Sequence, residues 1–514
     1  MLIKTYGCAI YGINAITITI ETSIEVGINF FMVGLPDSAV KESQQRIESA
    51  LSQCGYRLPG RKIVVNMAPA DIRKEGSAYD LPLAIGILSA SEQIQYENIE
   101  KYIIMGELSL DGGLRAIKGA LPIAIEAIEQ HFEGIILPAA NAPEAAIVGN
   151  IKVFGAEHIT DVIHFFNGNS TALKEYSSEK HLHIEDEINN FEYDFSDVKG
   201  QENIKRALEI TAAGGHNVIL IGPPGSGKTM LAQRMPSILP PLSLSEALET
   251  TKIHSVAGRM NNNKGIIKTR PFRSPHHTIS DVALVGGGST PQPGEISLAH
   301  NGVLFLDEMP EFKRQVLEVL RQPMEERIVN ISRAKMSIDY PASFMLVAAM
   351  NPCPCGNYNH PWKDCSCQPG TVQRYLNKIS GPLLDRIDIH VEVAPVDINK
   401  LNDSRIIGES SKTIRERVIA TRAIQNERYF NDANIHCNAQ INVKALSQYC
   451  QINENCKNLL KIAMEKMNLS ARAYNRIIKV ARTIADLDNS LNINEIHISE
   501  AIHFRSLDRD SWGR

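Results

Sequence analysis

VILIGPPGSGKT occupies residues 218–229. An apolar run leads there into a glycine-rich turn that matches G-x-x-x-x-G-K-[ST] in full. Glycines let the chain curl tightly enough for several backbone N–H groups to converge on phosphate oxygens. The stretch therefore predicts a buried strand, an ATP-binding loop and a following helix. The predicted ATP-binding residues are Gly222, Pro223, Pro224, Gly225, Ser226, Gly227, Lys228 and Thr229.

A second apolar run, GVLFLDE at residues 302–308, ends in two acids. Asp307 fits the Walker-B acid that holds Mg²⁺ through water, beside the Thr229 hydroxyl that binds the ion, and Glu308 fits the base that polarises the attacking water. Alone, the run would be an ordinary strand with two solvated acids at its end. Downstream of a complete phosphate-binding loop, it predicts an ATP-hydrolysing domain that uses ATP and Mg²⁺.

The composition sets the broad class of the protein. A chain of 514 residues is too long for one core, so several domains are expected. The net charge of −5 gives no global basicity, and any contact with DNA must come from local patches. No apolar run approaches the length needed to cross a bilayer, and the first residues lack a signal-peptide pattern. With nine cysteines, an odd number, these features predict a cytoplasmic protein without membrane contact.

Residues 1–165 are predicted to form an α+β domain with a mixed sheet, including a strand pair in Leu2–Ile20 and a hairpin at Asp111-Gly112. KEGSA at 74–78 and MGELSLDGGL at 105–114 resemble the proteolytic domain of the Lon proteases, which has the ribosomal S5 domain 2-like fold and a Ser–Lys dyad. Ser77 lies near the nucleophile position, but Leu121 occupies the lysine slot and Lys118 lies on another face. A serine without a base is a poor nucleophile, so a Lon-like fold without protease activity is expected.

Residues 166–195 have linker composition, and residues 196–400 are predicted to form the ATPase core. Within this core, KTRPFRSPHHTISD carries Arg270 and Arg273, which could grip DNA phosphates or lie in a solvated surface loop. RIVNISRAKMSIDY predicts a hairpin whose basic tip, Arg333 and Lys335, is a candidate for DNA binding. The next buried strand ends at Asn351, which suits a sensor-1 residue that orients the lytic water.

Two cysteine pairs follow in NPCPCGNYNHPWKDCSCQPG, at residues 351–370. Cys353, Cys355, Cys365 and Cys367 supply four soft ligands, which suit a tetrahedral structural Zn²⁺. The C-x-C spacing is tighter than that of the usual C-x₂₋₄-C zinc site. Disulfides, an iron–sulfur cluster and unliganded thiols therefore remain as alternatives.

Residues 401–514 are predicted to be largely helical. Arg472, Arg476 and Lys479 fall on one face of a helix, and such a face is either solvated or, in an ATPase lid, turned toward the nucleotide. Shortly before this region, Arg386 could stabilise phosphate charge in a neighbouring subunit or form a salt bridge with Asp385 or Asp388.

The motifs together resemble the magnesium-chelatase-like AAA+ ATPases of the YifB/ComM family over essentially the whole chain. The motifs that carry this resemblance are GLPDSAVKES (34–43), GPPGSGKT (222–229), FRSPHH (272–277), GGGSTPQPGEISLAHNGVLFLDE (286–308), AAMNPCPCG (348–356) and ISGPLLDRID (379–388). The resemblance implies an α/β multidomain protein with a Lon-like N-terminal domain, an AAA+ P-loop NTPase core with a helix-2 insert and a pre-sensor-1 hairpin, and a C-terminal helical lid.

The same resemblance implies roles for three residues and a function for the protein. Asn351 matches sensor 1, Arg386 the arginine finger and Arg472 sensor 2. The expected protein is a hexameric DNA helicase or branch-migration motor that acts on single-stranded or branched DNA, irrespective of sequence, in recombination during natural transformation. A recombinase is a further expected partner. A metal-inserting chaperone of magnesium-chelatase type and a Lon-like ATP-dependent protease are the alternatives.

Overall fold

The computed structural model of the protein describes residues 2–95, 97–177, 191–260, 265–288, 291–333, 336–395, 408–432, 435–467 and 469–505. Their contacts divide them into two compact units. The first unit combines the described residues up to 177 with Leu244–Lys268 and Ser332–Tyr340, and the second contains the remaining described residues.

The first unit is built on an eight-stranded mixed sheet. Its strands and the small β6–β7 hairpin are β1 (Leu2–Tyr11), β2 (Asn14–Glu25), β3 (Phe30–Val33), β4 (Lys62–Ala68), β5 (Tyr102–Ile104), β6 (Glu107–Leu108), β7 (Leu114–Arg115), β8 (Gly134–Pro138), β9 (Lys152–Ala156) and β10 (Lys174–Tyr176). The sheet order is β10-β9-β8-β5-β1-β2-β4-β3. The β1–β2 pair and the β6–β7 hairpin around Gly112, whose φ is +94°, confirm the two hairpins predicted from the sequence.

The first unit also contains helices, of which Asp80–Ala90 and Ala120–Glu129 pack on this sheet and Leu244–Val256 packs on Ala120–Glu129. The helices of this unit are Ser38–Lys41, Ser43–Gln53, Asp80–Ala90, Ala120–Glu129, Ala142–Ala145, Ile159–Phe166 and Leu244–Val256, with 3₁₀ turns at Ser77–Tyr79, Ile99–Lys101 and Ala146–Val148. Every residue of Asp80–Ala90 is buried, and this helix packs against β1 and β2. Its sequence, DLPLAIGILSA, is apolar almost all round, as a fully enclosed helix requires.

The second unit is built on a five-stranded parallel sheet. The strands along the rest of the chain are β11 (Val218–Ile221), β12 (Phe272–Arg273), β13 (Gly286–Gly287), β14 (Gln292–Pro293), β15 (Val303–Leu306), β16 (Ile328–Arg333), β17 (Met336–Pro341), β18 (Met345–Met350) and β19 (Ile389–Glu392). Of these, the end of β16 and nearly all of β17 fall within Ser332–Tyr340, which belongs to the first unit. The order of the main sheet is β12-β15-β18-β11-β19, and β13–β14 and β16–β17 form separate two-stranded sheets. The β16–β17 pair confirms the predicted hairpin. Lys335 lies outside the described residues, and only the backbone of Arg333 is described.

Helices cover the parallel sheet and continue to the end of the described chain. They are Glu202–Gly214, Lys228–Gln233, Met235–Ile238, Asp281–Val285, Glu295–Leu298, Arg314–Glu318, Arg321–Glu326, Thr371–Leu376, Gly381–Leu384, Ser411–Arg428, Val443–Tyr449, Glu454–Met467, Ala471–Leu487 and Glu495–His503, with 3₁₀ turns at Phe195–Asp197, Met309–Glu311 and Asn438–Gln440. The last five helices are the helical region expected after residue 400, and they share one apolar core with the parallel sheet. In the described residues, no helix has both the length and the apolar character that a membrane span requires.

Two buried polar residues hold the amino-terminal edge of the parallel sheet. The Asn217 side chain accepts a hydrogen bond from the Leu346 N–H at 2.8 Å and donates one to the Arg386 carbonyl at 3.3 Å. The Asp388 carboxylate accepts from the Asn217 N–H at 3.0 Å and from the Arg476 guanidinium. Together they connect β11, the start of β18, the start of β19 and the helix Ala471–Leu487.

The charge of Asp388 is stabilised by these contacts. Burial raises the pKa of this carboxyl, but the opposing effects of the Arg476 charge, the His216 ring and the Asn217 N–H hold it well below its usual range. Removing one member of a buried ion pair leaves the other charge without compensation, which is strongly destabilising.

We expect D388N to lower the free energy of unfolding by about 3–5 kcal/mol, because Arg476 would lose its counterion in a site that is mostly closed to water. D385N is the matched control, since Asp385 is a half-buried acid in the same segment. Differential scanning calorimetry of both variants measures the difference. Equal melting temperatures for D388N and D385N would contradict the assigned role of the buried pair.

Candidate active site

Three parallel strands bring the predicted ATP-site motifs to one edge of the sheet. In β11, Ile221 lies opposite Met350 of β18, and in β15, Leu306 lies opposite Ala348. The phosphate-binding loop, the acids that follow β15 and Asn351 therefore leave the sheet side by side. Carboxyl ends of parallel strands are the usual place for a ligand site in such sheets.

The phosphate-binding loop has the backbone geometry that its glycines allow. Gly225 and Gly227 have φ values of +76° and +88°, in the left-handed region that favours glycine. A Cβ on Gly222 would lie 2.3 Å from the Val393 carbonyl oxygen, so only glycine fits there. The helix Lys228–Gln233 starts directly after Gly227, which directs its first N–H groups toward the loop.

Lys228 is held at the centre of the loop. Its Nζ donates to the carbonyls of Gly222 at 2.7 Å and Pro223 at 2.9 Å, and to Asn351 Oδ1 at 3.2 Å. Burial lowers the pKa of this ammonium, and the charges of Asp307 and Glu308 oppose that shift. The structure thus brings the predicted sensor-1 amide into direct contact with the predicted phosphate-binding lysine.

The two predicted Mg²⁺ ligands also meet. Thr229 Oγ1 donates to Asp307 Oδ2 at 2.6 Å. A hydroxyl and a carboxylate oxygen at this separation are the hard ligands that Mg²⁺ accepts beside phosphate oxygens and water. Thr229 and Asp307 therefore fit Mg²⁺, the ion that the sequence predicts.

Glu308 adopts an unusual backbone conformation beside these groups. Its φ and ψ are +49° and +45°, the left-handed region that few residues other than glycine occupy. Its side chain is 57% exposed, and its Oε2 lies 3.6 Å from Nδ1 of His277. Strained backbone of this kind is typical of functional positions, where it fixes the direction of a side chain.

A cleft of about 530 Å³ opens beside Glu308 and Asn351. No motif in the sequence points to the other residues that line this cleft, Glu311, Pro354, Thr371, Arg374, Tyr375 and Lys378. Lys378 pairs with Glu311 at 3.1 Å across this cleft. Tyr375 is buried, and burial raises the pKa of its hydroxyl.

The four clustered cysteines lie together as the metal-site prediction requires. Their sulfurs all lie within 4.8 Å of one another, and the separations among Cys353, Cys355 and Cys365 are 3.3, 3.5 and 3.7 Å. A tetrahedral ion with Zn–S bonds of about 2.3 Å would place its sulfurs about 3.8 Å apart. The cysteines are free rather than paired in disulfides. The cluster thus has a geometry that fits zinc.

The cysteine loop packs directly on the ATP site. Gly356 has a φ of +80°, and a Cβ added there would lie 2.4 Å from Cδ of Pro224 in the phosphate-binding loop. Cys353 follows Asn351 by two residues, and its Sγ accepts a hydrogen bond from the Tyr358 N–H at 3.3 Å. The loop therefore connects Asn351, the predicted sensor-1 residue, with the phosphate-binding loop.

Comparisons with known proteins agree with this geometry. Three family models match the chain: subunit ChlI of Mg-chelatase at residues 20–141, magnesium chelatase subunit ChlI at 194–401, and its C-terminal region at 408–505. The uncharacterized protein YifB of Salmonella typhimurium is 45% identical over 504 residues, which cover 98% of this chain and 96% of YifB. The competence protein ComM of Haemophilus influenzae is 43% identical over 506 residues, 98% of this chain and 97% of ComM.

The chain belongs to the YifB/ComM family of magnesium-chelatase-like proteins. This membership implies an AAA+ ATPase that uses ATP and Mg²⁺. The 38 kDa magnesium-chelatase subunit of Rhodobacter capsulatus is a more distant relative, 27% identical over 179 residues that cover 31% of this chain and half of that subunit.

Two residues that the YifB/ComM resemblance assigns to catalysis lie apart from the assembled groups. Arg386 is 6% exposed, and its guanidinium pairs with Glu325 at 2.8 Å and donates to the Pro382 carbonyl at 2.6 Å. The ion-pair partner of Arg386 is thus Glu325. The alternative interpretation, a salt bridge with Asp385 or Asp388, is wrong. Arg472 is exposed near the start of the helix Ala471–Leu487.

The other members of the predicted basic face on that helix are not solvated. Arg476 binds the buried Asp388 carboxylate, and the Lys479 ammonium donates to the Ala439 carbonyl at 3.1 Å. Burial lowers the pKa of Lys479, an effect that the Asp388 charge opposes. Helical spacing places the three cations on one face but does not reveal that a carboxylate from the sheet lies under it.

The two candidate DNA contacts in the insert before β15 are occupied within the chain. The Arg270 guanidinium donates to the carbonyls of Pro240 and Asn301 at 2.7 and 2.8 Å. Arg273 forms a two-pronged pair with Glu295, at 2.6 and 2.7 Å. Neither residue lies in a solvated loop, and both hold neighbouring segments together.

Ser77 of the first unit has a carboxylate partner rather than a lysine. Its hydroxyl donates to Glu107, and Leu121, at the position aligned with the Lon lysine, is fully buried. Lys74, three residues before Ser77, donates to the Pro69 carbonyl. These contacts agree with the expectation that this YifB/ComM chain lacks a Ser–Lys dyad, while the Lon-like fold itself stays a prediction.

We expect G356A to weaken ATP binding by about tenfold, roughly the loss of one hydrogen bond to phosphate, because the new methyl group would displace Pro224. G370A is the matched control: Gly370 also has a positive φ, of +77°, but a Cβ there meets no atom within 4 Å. Titration with a fluorescent ATP analogue gives both dissociation constants. If the two variants bind equally well, the contact between the cysteine loop and the phosphate-binding loop has no role in binding.

Proposed function

We propose that the protein is an ATP-driven DNA motor, a ring-forming helicase or branch-migration translocase that acts in recombination during natural transformation. The observation that carries this proposal is the match to the competence protein ComM over 98% of the chain, combined with the assembled ATP-site residues. Identity of 43% over 98% of the chain to ComM, against 27% over 31% to the Rhodobacter capsulatus magnesium-chelatase subunit, favours the DNA motor over the metal-inserting chaperone. The carboxylate partner of Ser77 disfavours the Lon-like protease.

Each residue at the sheet edge has a defined part in the proposed hydrolysis. Lys228 and the loop N–H groups bind the phosphates, and Thr229 and Asp307 hold Mg²⁺, which neutralises phosphate charge when bound. Glu308 accepts the proton of the attacking water, and Asn351 orients that water. Preorganised groups of this kind act mainly by positioning and by electrostatic stabilisation.

A ring would complete the site from a neighbouring subunit. We assign Arg386 to the γ-phosphate of the adjacent protomer, as the YifB/ComM resemblance implies, with the C-terminal helices acting as a lid and Arg472 as its sensor. Within one chain Arg386 is paired with Glu325, so this assignment requires that pair to open in the ring. Arg472 is already exposed.

Phosphate contacts explain how such a motor would move on any sequence. Such contacts position a protein on DNA without reading bases, and their strength falls as salt rises. Because Arg270 and Arg273 are engaged within the chain, we assign the contacts to the β16–β17 hairpin tip, Arg333 and Lys335. The partners would be single-stranded or branched DNA, five further copies of the chain in a hexamer, and a recombinase in the cytoplasm.

We expect single-stranded or branched DNA to stimulate ATP hydrolysis, and more weakly as salt rises from about 50 to 200 mM. E308Q should lower turnover about a hundredfold or more with and without DNA, because the amide cannot accept a proton. R333A/K335A should keep the turnover measured without DNA and lose the stimulation. A coupled ATPase assay over a series of DNA and salt concentrations measures all three.

Two outcomes would contradict this proposal in different ways. Turnover that no DNA changes would favour a protein-remodelling ATPase. If DNA still stimulates turnover in R333A/K335A, the protein can be a DNA motor, but the hairpin tip does not make its DNA contacts.

We further propose that the cysteine cluster holds one structural zinc ion per chain. The C365S variant should lose this ion. It should also bind ATP more weakly, because the loop that contacts Pro224 would relax. C54S is the control, a half-buried cysteine of the first unit. Elemental analysis of the purified proteins and ATP titration give two independent readouts. Iron in place of zinc, or a metal-free protein with disulfides, would contradict the assignment.

A further inference from the structure

Two segments from the ATPase part of the sequence belong to the first unit, which has no part in the proposed hydrolysis. One is Leu244–Lys268, and the other is Ser332–Tyr340, which contains the tip of the β16–β17 hairpin and most of β17. The tip carries Arg333 and Lys335, to which the proposed function assigns the DNA contacts. The first unit therefore includes the segment with which the motor would bind DNA.

The end of β1 contacts this hairpin directly. Tyr11 is the last residue of β1, and its hydroxyl donates to the Ser337 carbonyl of β17 at 3.4 Å. Gly12 follows in the β1–β2 turn with a φ of +64°, and a Cβ there would lie 3.0 Å from Cγ2 of Ile338. Ile338 is only 6% exposed, so its side chain is enclosed at this contact. The turn thus allows β17 to approach β1 closely.

The same end of β1 also reaches the other inserted segment. A Cβ on Gly119 would lie 2.5 Å from Cδ1 of Ile10, the last residue but one of β1. The Gly119 N–H in turn donates to the Ser255 carbonyl of the helix Leu244–Val256 at 3.2 Å. Three consecutive residues, Ile10–Gly12, therefore contact the hairpin directly and the inserted helix through one intervening glycine.

The eight-stranded sheet makes the end of β1 a rigid support. β1 lies in the middle of the sheet between β5 and β2, and it pairs with β2 along its whole length, from Leu2 opposite Ser23 to Tyr11 opposite Asn14. A two-stranded hairpin such as β16–β17 is, by contrast, marginally stable when it stands alone. The hairpin therefore needs a support of this kind if its tip is to keep a defined position.

We propose that Ile10–Gly12 are positioning residues for DNA binding, which hold the β16–β17 hairpin where its tip meets the DNA phosphates. The inference rests on the proposed DNA motor and gives the first unit a part in it that needs no chemistry at Ser77. None of the residues assigned to ATP hydrolysis belongs to the first unit. Loosening the contact should therefore weaken the response to DNA and leave ATP hydrolysis without DNA unchanged.

We expect I338A to raise the DNA concentration that gives half-maximal ATPase stimulation about fivefold, roughly the loss of one hydrogen bond to phosphate. The reason is that the variant lacks the methyl group that faces Gly12. I338V keeps a branched side chain with a methyl group at that place and should respond to DNA as the wild type does. In both variants, kcat and KM for ATP without DNA should match those of the wild type. Steady-state kinetics at a series of DNA concentrations give all three quantities.

Y11A tests the same contact from the side of β1 and should shift the half-maximal DNA concentration in the same direction. Y193A is its matched control, because Tyr193 of the second unit is 37% exposed and Tyr11 is 41% exposed. Hydrogen exchange of the β16–β17 amides gives a readout that needs no DNA. We expect faster exchange in I338A and Y11A than in I338V and Y193A.

Three outcomes would overturn the assignment. They are equal DNA responses of I338A and I338V, a loss in I338A that Y11A does not share, and a stronger response in Y11A, which would make the contact inhibitory. Melting temperatures identify any loss of fold, and Y11A tests the contact even if I338A is unstable. A wild-type enzyme that no DNA stimulates would refute the DNA motor itself, and hydrogen exchange would still show whether Ile10–Gly12 hold the hairpin.

Discussion

The ATP site depends on the register of three parallel strands. Ile221 opposite Met350 and Leu306 opposite Ala348 bring the ends of β11, β15 and β18 level with one another. Because side chains alternate between the two faces of a strand, a slip of one residue would turn Asn351 or Asp307 away from the loop. The 2.6 Å contact of Thr229 with Asp307 and the 3.2 Å contact of Lys228 with Asn351 both require this register.

Polar contacts at the opposite end of the sheet fix that register. Apolar strands such as VILI and VLFL are buried throughout, and hydrophobic packing alone discriminates weakly between neighbouring registers of such strands. Asn217 supplies directional hydrogen bonds to the backbone of Leu346 and Arg386, and Asp388 adds the helix Ala471–Leu487 through Arg476. A misaligned strand would leave these buried groups unsatisfied, which is costly. Catalytic geometry at one edge is therefore specified by buried polar residues at the other.

Sequence patterns predicted the parts of this site that depend on local geometry. The glycines, lysine and threonine of the phosphate-binding loop act within one turn, so their spacing alone determines their arrangement. The β16–β17 hairpin and the helical C-terminal region likewise follow from local periodicity. Asn351 was predicted from its place at the end of a buried strand and again from the family resemblance, but no local pattern reveals its contact with Lys228.

The contacts that the sequence did not predict depend on packing between distant segments. Arg270, Arg273 and Arg476 carry the charge of DNA or nucleotide contacts, but their partners are the Pro240 and Asn301 carbonyls, Glu295 and Asp388. The contact of Glu308 with His277, in the FRSPHH motif, could not be predicted for the same reason. The sequence does contain a signal for this contact, because two neighbouring parallel strands place the residues that follow them at the same edge of the sheet. Using it requires knowing that β12 pairs with β15, which a two-residue strand does not reveal.

The segments that distinguish this chain from a minimal ATPase border the catalytic residues on two sides. The cysteine loop follows Asn351 directly and reaches Pro224 through Gly356, so its fold bears on the phosphate-binding loop and the sensor-1 position. The FRSPHH segment reaches Glu308 through His277 and continues into the insert. In the proposed hydrolysis, the first segment thus contacts the groups that would bind nucleotide, and the second contacts the acid that would activate water. Because these contacts involve different residues, nucleotide affinity and turnover can respond to separate structural changes. In the proposed motor, such separation would allow ATP to be held until the substrate is engaged.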